Sequence, residues 1–296
     1  MNNDHFIKPN FLIIGAQKAG TTWLWDMLKQ HPGTALPKKK EIHFFGSAEL
    51  FARGIDWYYH HFYDLDENKV IGEASTTYFY DRIPYWFNES NKIEYDESLP
   101  PLPELITQEL PNIKIIISLR DPVGRAVSAY KHYMKNRNIS PKLGLTKVAK
   151  NYPKLRILEY GFYEKYIEIW KKYVPPERLL ILIFEEDIRN GYEDALVKLY
   201  HFLGLSTEFK PRRPNKAMHK SWTWSRILFY YYTKKYSERL ATSKIATLID
   251  RFDPFEGYGI KNRDIEFLRS VYLPRKEKLE NILGRDLSSM KYGLPH

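Results

Sequence analysis

Eight consecutive residues near the N-terminus, Gly15-Ala16-Gln17-Lys18-Ala19-Gly20-Thr21-Thr22, have the make-up of an anion cradle. Two glycines let the backbone approach a bound group closely, and a loop that opens a helix aims its first N–H groups at one point. A nucleotide loop of the kinase type reads G-x-x-x-x-G-K-[ST], with its lysine directly after the second glycine. Here Thr21 stands in that place, and the lysine, Lys18, lies three positions nearer the strand, so its ammonium meets the anion from another side. The alternative is a glycine-rich strand–helix turn that carries a surface lysine.

A second constellation lies in Leu119-Arg-Asp-Pro-Val-Gly-Arg-Ala-Val-Ser-Ala-Tyr130. Arg120 leaves the end of an apolar run, Pro122 suits the first turn of a helix, and Ser128 sits two turns along it. A guanidinium and a hydroxyl so placed can converge on one phosphate. The competing reading pairs Arg120 with Asp121 or Glu185. Other chemistries lack their residues. The chain has no cysteine, so it has no disulfide, thiolate nucleophile or Cys-ligated metal. No G-x-S-x-G or H-E-x-x-H pattern occurs, and the adjacent His60 and His61 point apart on a helix or strand. No metal is expected.

Positioning these groups requires strands that end where they begin. Short apolar runs at Phe11–Ile14, Val70–Ile71, Ile113–Leu119 and Leu179–Phe184 lack polar alternation, which suits strands buried on both faces. Helical patterns follow at Thr22–Gln30, Pro122–Lys135, Leu155–Tyr173 and Tyr192–Leu203, with stops at Pro32-Gly33, Pro175-Pro176 and Gly204. Further helical stretches cover Ser225–Arg239 and Ile265–Leu283. The polar, then proline-rich segment Ser90–Pro103 reads as an exposed loop. The predicted fold is α/β, with a P-loop-type central parallel sheet flanked by helices. It is expected as one domain over residues 1–296, helical from about residue 221 onward.

Composition narrows the class. At 43% hydrophobic and 28% charged, the chain carries too much core-forming material to be disordered. No apolar run approaches the ~18 residues of a membrane span, and Phe11–Ile14 is too short for a signal peptide, so a cytoplasmic protein is expected. The net charge of +10 comes from 46 Lys+Arg against 36 Asp+Glu. It is concentrated in two blocks: Pro122–Leu158 holds nine basic residues and no acid, and Lys210–Lys244 holds ten basic residues and only Glu238. Such blocks favour anionic partners, although solvated lysine-rich helices give the same count.

The stretch Phe11–Phe45, FLIIGAQKAGTTWLWDMLKQHPGTALPKKKEIHFF, resembles the sulfotransferases that use 3′-phosphoadenosine-5′-phosphosulfate (PAPS), in particular the heparan sulfate and other carbohydrate sulfotransferases and their bacterial relatives. The Arg120 and Ser128 motif belongs to the same likeness. A weaker likeness runs through Glu159-Tyr-Gly-Phe-Tyr163, Phe184-Glu-Glu-Asp187 and Leu268–Asp286. The resemblance implies that Gly15, Lys18, Ala19, Gly20, Thr21 and Thr22 hold the 5′-phosphosulfate of PAPS. It assigns Arg120 and Ser128 to the 3′-phosphate and adds Tyr163 to the cofactor site. The chain cannot form the disulfide-closed hairpin of the heparan sulfate enzymes. The counterpart of that loop is Arg212–Lys220, from which Arg213, Asn215 and Lys216 are implied as further cofactor ligands.

Transfer of a sulfonyl group needs an activated acceptor, a neutralised leaving phosphate and in-line geometry. The resemblance gives the base role to Glu73, just beyond the second apolar run, and Lys18 donates to the leaving oxygen. A surface glutamate capping the next segment is the alternative for Glu73. Lys40 and His43, in Lys38-Lys-Lys-Glu-Ile-His-Phe-Phe45, fall in a family segment lining the acceptor side; three adjacent lysines equally fit a solvated surface, and a structural role suits His43. The expected acceptor is a hydroxyl, less readily an amine, on an anionic saccharide, with adenosine 3′,5′-bisphosphate (PAP) as product and no nucleic acid partner. The rival readings are a P-loop kinase or NTPase, with Glu185 as a metal-holding acid, and a non-enzymatic polyanion-binding protein.

Overall fold

The four residues Phe11–Ile14 have no solvent exposure at all, and their alternation decides the layout of the molecule. Leu12 and Ile14 point into one apolar cluster together with Ile115 and Ile117, while Phe11 and Ile13 point into a second with Ile116 and Leu182. A strand buried on both faces belongs at the centre of a helix-covered parallel sheet. The computed structural model describes residues 6–86, 92–212, 222–234 and 259–293, together with residues 239, 244, 245, 248 and 249.

In chain order the elements are β1 (Phe11–Gly15), α1 (Thr21–Gln30), β2 (Thr34–Ala35), α2 (Ala48–Phe51), α3 (Ile55–Tyr59), β3 (Val70–Ala74), β4 (Pro84–Tyr85), β5 (Glu94–Tyr95) and α4 (Leu102–Glu109). They continue with β6 (Lys114–Leu119), α5 (Pro122–Lys135), α6 (Leu145–Asn151), α7 (Tyr163–Tyr173), β7 (Leu179–Ile183), α8 (Tyr192–Leu203), α9 (Trp224–Thr233), α10 (Asn262–Tyr272) and α11 (Lys276–Leu283). Five strands form a parallel sheet in the order β2-β3-β1-β6-β7. The neighbours of β1 lie on opposite sides, so the direction of winding reverses there, and a crevice opens beyond its C-terminal end. Helices α1 and α8 cover the face carrying Phe11 and Ile13, whereas α4, α5 and α7 cover the other.

The α/β architecture and the helical C-terminal part agree with expectation, and four differences have local causes. β3 continues through Gly72 and Glu73 to Ala74, pairing Glu73 with Leu12, so Glu73 lies inside the strand. The segment read as an exposed loop contributes β5, which pairs with β4, and its end opens α4 through the buried Leu102. The helix expected from Leu155 starts only at Tyr163, because Arg156 takes a left-handed φ of 47° and two short 3₁₀ turns precede the helix. The long helix expected over Ile265–Leu283 divides into α10 and α11 at a 3₁₀ turn, Leu273–Arg275, around Pro274. Of the stretch Ser225–Arg239, α9 accounts for the part up to Thr233.

Ile116 is fully buried between β1 and β7. Replacing it with alanine should lower stability by about 2–5 kcal/mol, read as a reduced urea midpoint with an unchanged m-value.

Candidate active site

The loop after β1 is pinned from beneath by the neighbouring strand. Ser118 of β6 accepts the Ala16 N–H at its carbonyl and donates its hydroxyl to the Ala19 carbonyl. Gly20 enters α1 with a φ of 92°, and a Cβ there would lie 2.8 Å from the Phe184 ring. A Cβ on Gly15 would meet Phe79 at 2.9 Å. Both positions therefore need glycine for space. Lys18 also adopts a left-handed φ, of 67°. Thr21 and Thr22 begin α1, where N–H groups have no helical carbonyl to bond and the helix dipole is positive. Burial, then the charges of Lys135 and Arg120, hold the Lys18 ammonium below its usual range, with Glu41 opposing them.

Facing this loop is Lys40-Glu41-Ile42-His43. The Lys40 ammonium donates to the Thr22 hydroxyl at 3.0 Å and lies 3.4 Å from Glu41. His43 Nε2 lies 3.4 Å from the other Glu41 oxygen, and its Nδ1 is 2.9 Å from the Thr77 hydroxyl. Burial alone would raise the Glu41 carboxyl, but the hydrogen bond from His43 and the charge of Lys40 outweigh it and hold the group low. Glu41 and His43 have φ values of 63° and 62°. With Lys18 they make three of the six non-glycine residues of positive φ among the described residues, each costing roughly 1–3 kcal/mol. Such strain persists where the surroundings impose it, and here it gathers at one place.

Glu73 is elsewhere than expected. It has no exposed surface, and its carboxylate accepts hydroxyls from Tyr58 at 2.8 Å, from Ser75, and from Tyr78 at 3.0 Å. Burial raises its pKa against those three hydrogen bonds. The carboxylate is thus sealed from solvent and engaged by three hydroxyls from within the protein. It supports the site from behind: Ser75, which donates to Glu73, accepts the His43 N–H at 2.9 Å. The open carboxylate is Glu41, one residue from Lys40 in the same sequence segment, a signal already present in the Lys-Glu-x-His pattern.

Beyond Lys18, Arg120 donates to the Lys18 carbonyl at 3.3 Å, stacks its guanidinium 5.2 Å from the Phe184 ring centroid, and lies 3.9 Å from Glu185. Glu185 in turn accepts the Asp121 N–H. Arg120 and Ser128 line one cavity of about 360 Å³. Tyr163 is fully buried and donates its hydroxyl to the Arg120 carbonyl at 2.8 Å, so it acts through Arg120 and touches no open space. Arg213, Asn215 and Lys216 lie outside the described residues.

The two basic blocks meet beside the loop. Lys135 at the end of α5 lies 4.1 Å from the Trp222 ring centroid, and Arg226 of α9 lies 4.3 Å from the same ring. Burial, then the Arg226 charge, lowers the Lys135 pKa. His132, one turn before Lys135, is pushed down to about 4 by burial and by Lys18 and Lys135, so it is neutral at pH 7. Sequence reading missed Lys135, His132 and Arg226 as site residues, although each lies in a basic block.

A profile for the sulfotransferase domain matches residues 8–229. The membrane-associated sulfotransferase kil1 of Dictyostelium discoideum is 40% identical over 140 residues, 46% of this chain and 26% of that protein. The bifunctional heparan sulfate N-deacetylase/N-sulfotransferase 3 of Homo sapiens is 30% identical over 212 residues, 67% of this chain and 22% of that protein. The chain thus spans about a quarter of the length of these relatives. A crystal structure of a sulfotransferase from Alicyclobacillus acidocaldarius shares the fold, with a TM-score of 0.66 and 24% identity over 96% of this chain and 99% of that one.

The tight turn at Gly20 can be probed by filling it. Gly20→Ala should cost about 1–3 kcal/mol of stability through its positive φ and the Phe184 clash. It should also weaken binding of inorganic pyrophosphate, measured by calorimetry beside a urea titration.

Proposed function

The chain belongs to the sulfotransferase-domain family, and from that premise we propose that it transfers a sulfonyl group from PAPS to a hydroxyl, less readily an amine, of an anionic saccharide. The observation that carries this reading is the meeting of a part-exposed carboxylate, Glu41, with the cation-rich loop at Lys18 and Thr22.

The residues fit a phosphosulfate nucleotide. Glycines at positions 15 and 20 let the loop turn tightly against Phe79 and Phe184, Lys18 sits among like charges that an anion would neutralise, and Arg120 and Ser128 border a cavity in reach of the same loop. When bound, PAPS supplies a sulfonyl group on a phosphate leaving group; the sulfur–oxygen bond to the phosphate breaks as one to the acceptor oxygen forms. Lys18 and the N–H groups of Thr21 and Thr22 offset the charge left on the phosphate. Glu41 takes the acceptor proton, in place of the base role expected for Glu73. His43 and Lys40 orient Glu41 and keep it ionised, and Glu73 fixes His43 through Ser75.

The acceptor class rests on charge. Lys135 and Arg226, gathered over the Trp222 ring, bring two cations together, which suits an acceptor carrying sulfate or carboxylate groups. The similarity to a heparan sulfate N-deacetylase/N-sulfotransferase points the same way.

Calorimetric titration with PAP should show binding that needs no Mg²⁺; binding of ATP only with Mg²⁺ would instead favour a kinase, and binding of neither a polyanion module. Glu41→Gln should retain PAP binding and lose about 10²–10⁴-fold in kcat with PAPS and an N-sulfated heparan oligosaccharide. Glu73→Gln should lose less; the reverse ranking would return the base role to Glu73. Since Glu41 is active when ionised and is held below its ordinary value of 4.5, the acid limb of kcat/KM due to it should fall below pH 4.5.

A further inference from the structure

The cavity bordered by Arg120 and Ser128 has a wall that comes from neither the loop nor α5. Ser289, Lys291 and Gly293 line it, and they lie in the last described stretch of the chain. That stretch is fastened at several points. The Tyr292 N–H donates to one oxygen of Asp121, whose other oxygen caps α5 by accepting the Gly124 N–H at 2.6 Å. Ser289 donates to Glu186, and Arg285 pairs with Glu186 and Asp187 at the end of β7. Gly293 has a φ of 81°, and a Cβ there would meet Ile265 of α10 at 2.7 Å and Val123 of α5 at 3.1 Å. Tyr292 itself takes a left-handed φ of 50° while only 3% exposed. The segment is thus built against the start of α5, which carries Ser128.

Charged side chains of both signs border this space. Arg120, Lys131, Arg189 and Lys291 border it, against two carboxylates, Asp121 and Glu185. Both carboxylates already accept backbone N–H groups: Asp121 those of Gly124 and Tyr292, Glu185 that of Asp121. Arg189 and Lys291 thus bring cations to the volume of about 360 Å³ that Arg120 and Ser128 border.

Resting on the PAPS reading above, we propose that Lys291 is a ligand of the nucleotide's 3′-phosphate, alongside Lys131 and Arg189, and that residues 289–293 form a working wall of the donor site. Through its fastening to Asp121, nucleotide binding and the docking of this segment stabilise one another, since a ligand that binds only the docked form shifts the equilibrium towards it. A charge-assisted contact of this kind is read by the 3′-phosphate and by no other part of the nucleotide.

The experiment compares PAP with adenosine 5′-monophosphate, which lacks the 3′-phosphate, by calorimetry on the full chain. Lys291→Ala should weaken PAP about ten- to a hundredfold and leave the monophosphate unchanged, and Lys291→Arg should restore most of the PAP affinity. Lys69→Ala, which removes the same charge beside the N-terminal end of β3, should alter neither. An unchanged PAP affinity in Lys291→Ala, or equal losses for both nucleotides, overturns the assignment while leaving the PAPS reading intact. A wild-type protein that binds the two nucleotides equally overturns the donor reading and this assignment with it.

Discussion

The organisation of the site depends on how tightly the chain turns from β1 into α1. Ser118 holds the turn from the adjacent strand through the Ala16 N–H and the Ala19 carbonyl, and side chains at positions 15 and 20 would strike Phe79 and Phe184. Once the turn is fixed, the cations can be placed around it. Arg120 reaches the Lys18 carbonyl, and Lys40 reaches the Thr22 hydroxyl. Together these contacts gather positive charge at a helix N-terminus, where burial, then the neighbouring cations, depress the Lys18 pKa.

The two glutamates show how environment, more than residue type, allots roles. Glu73 and Glu41 both lie near His43, but they are pushed in opposite directions. Glu73 is enclosed in β3, so burial raises it even though three hydroxyls donate to it. Glu41 is met by Lys40 and His43, whose charges and hydrogen bond overcome its burial. Separation of paired titratable groups in this way is a recurrent mark of acid–base sites. The buried member still contributes, because the Ser75 hydroxyl it receives holds the His43 backbone in its left-handed conformation.

The surplus charge of the chain has a spatial order. The first basic block forms α5, α6 and their connection, the second includes α9, and α5 packs against α9 so that Lys135 and Arg226 share Trp222. Lys131, on the same helix as Lys135, lines the cavity with Arg120 and Ser128. One helix therefore carries cations, one turn apart, to the cavity and to the Trp222 ring.

Local chemistry made much of this legible in the sequence. Unalternating apolar runs identify strands buried on both faces, proline and glycine mark most helix ends, and the glycine, lysine and threonine spacing after Phe11–Ile14 identifies an anion loop, because each signal acts within a few residues. The register of β3 was not legible, since Gly72 and Glu73 are weak strand formers held there by pairing with β1. Which glutamate is sealed and which is open was decided by Tyr58 and Tyr78 closing over Glu73, contacts that span 15 and 5 residues. The approach of residues 289–293 to Asp121, 171 positions away at Tyr292, is likewise a product of packing. Sequence alone determined the family, through residue types at short spacing; tertiary structure decided which carboxylate is sealed and which is part-exposed, because exposure and pairing of charge are properties of distant contacts.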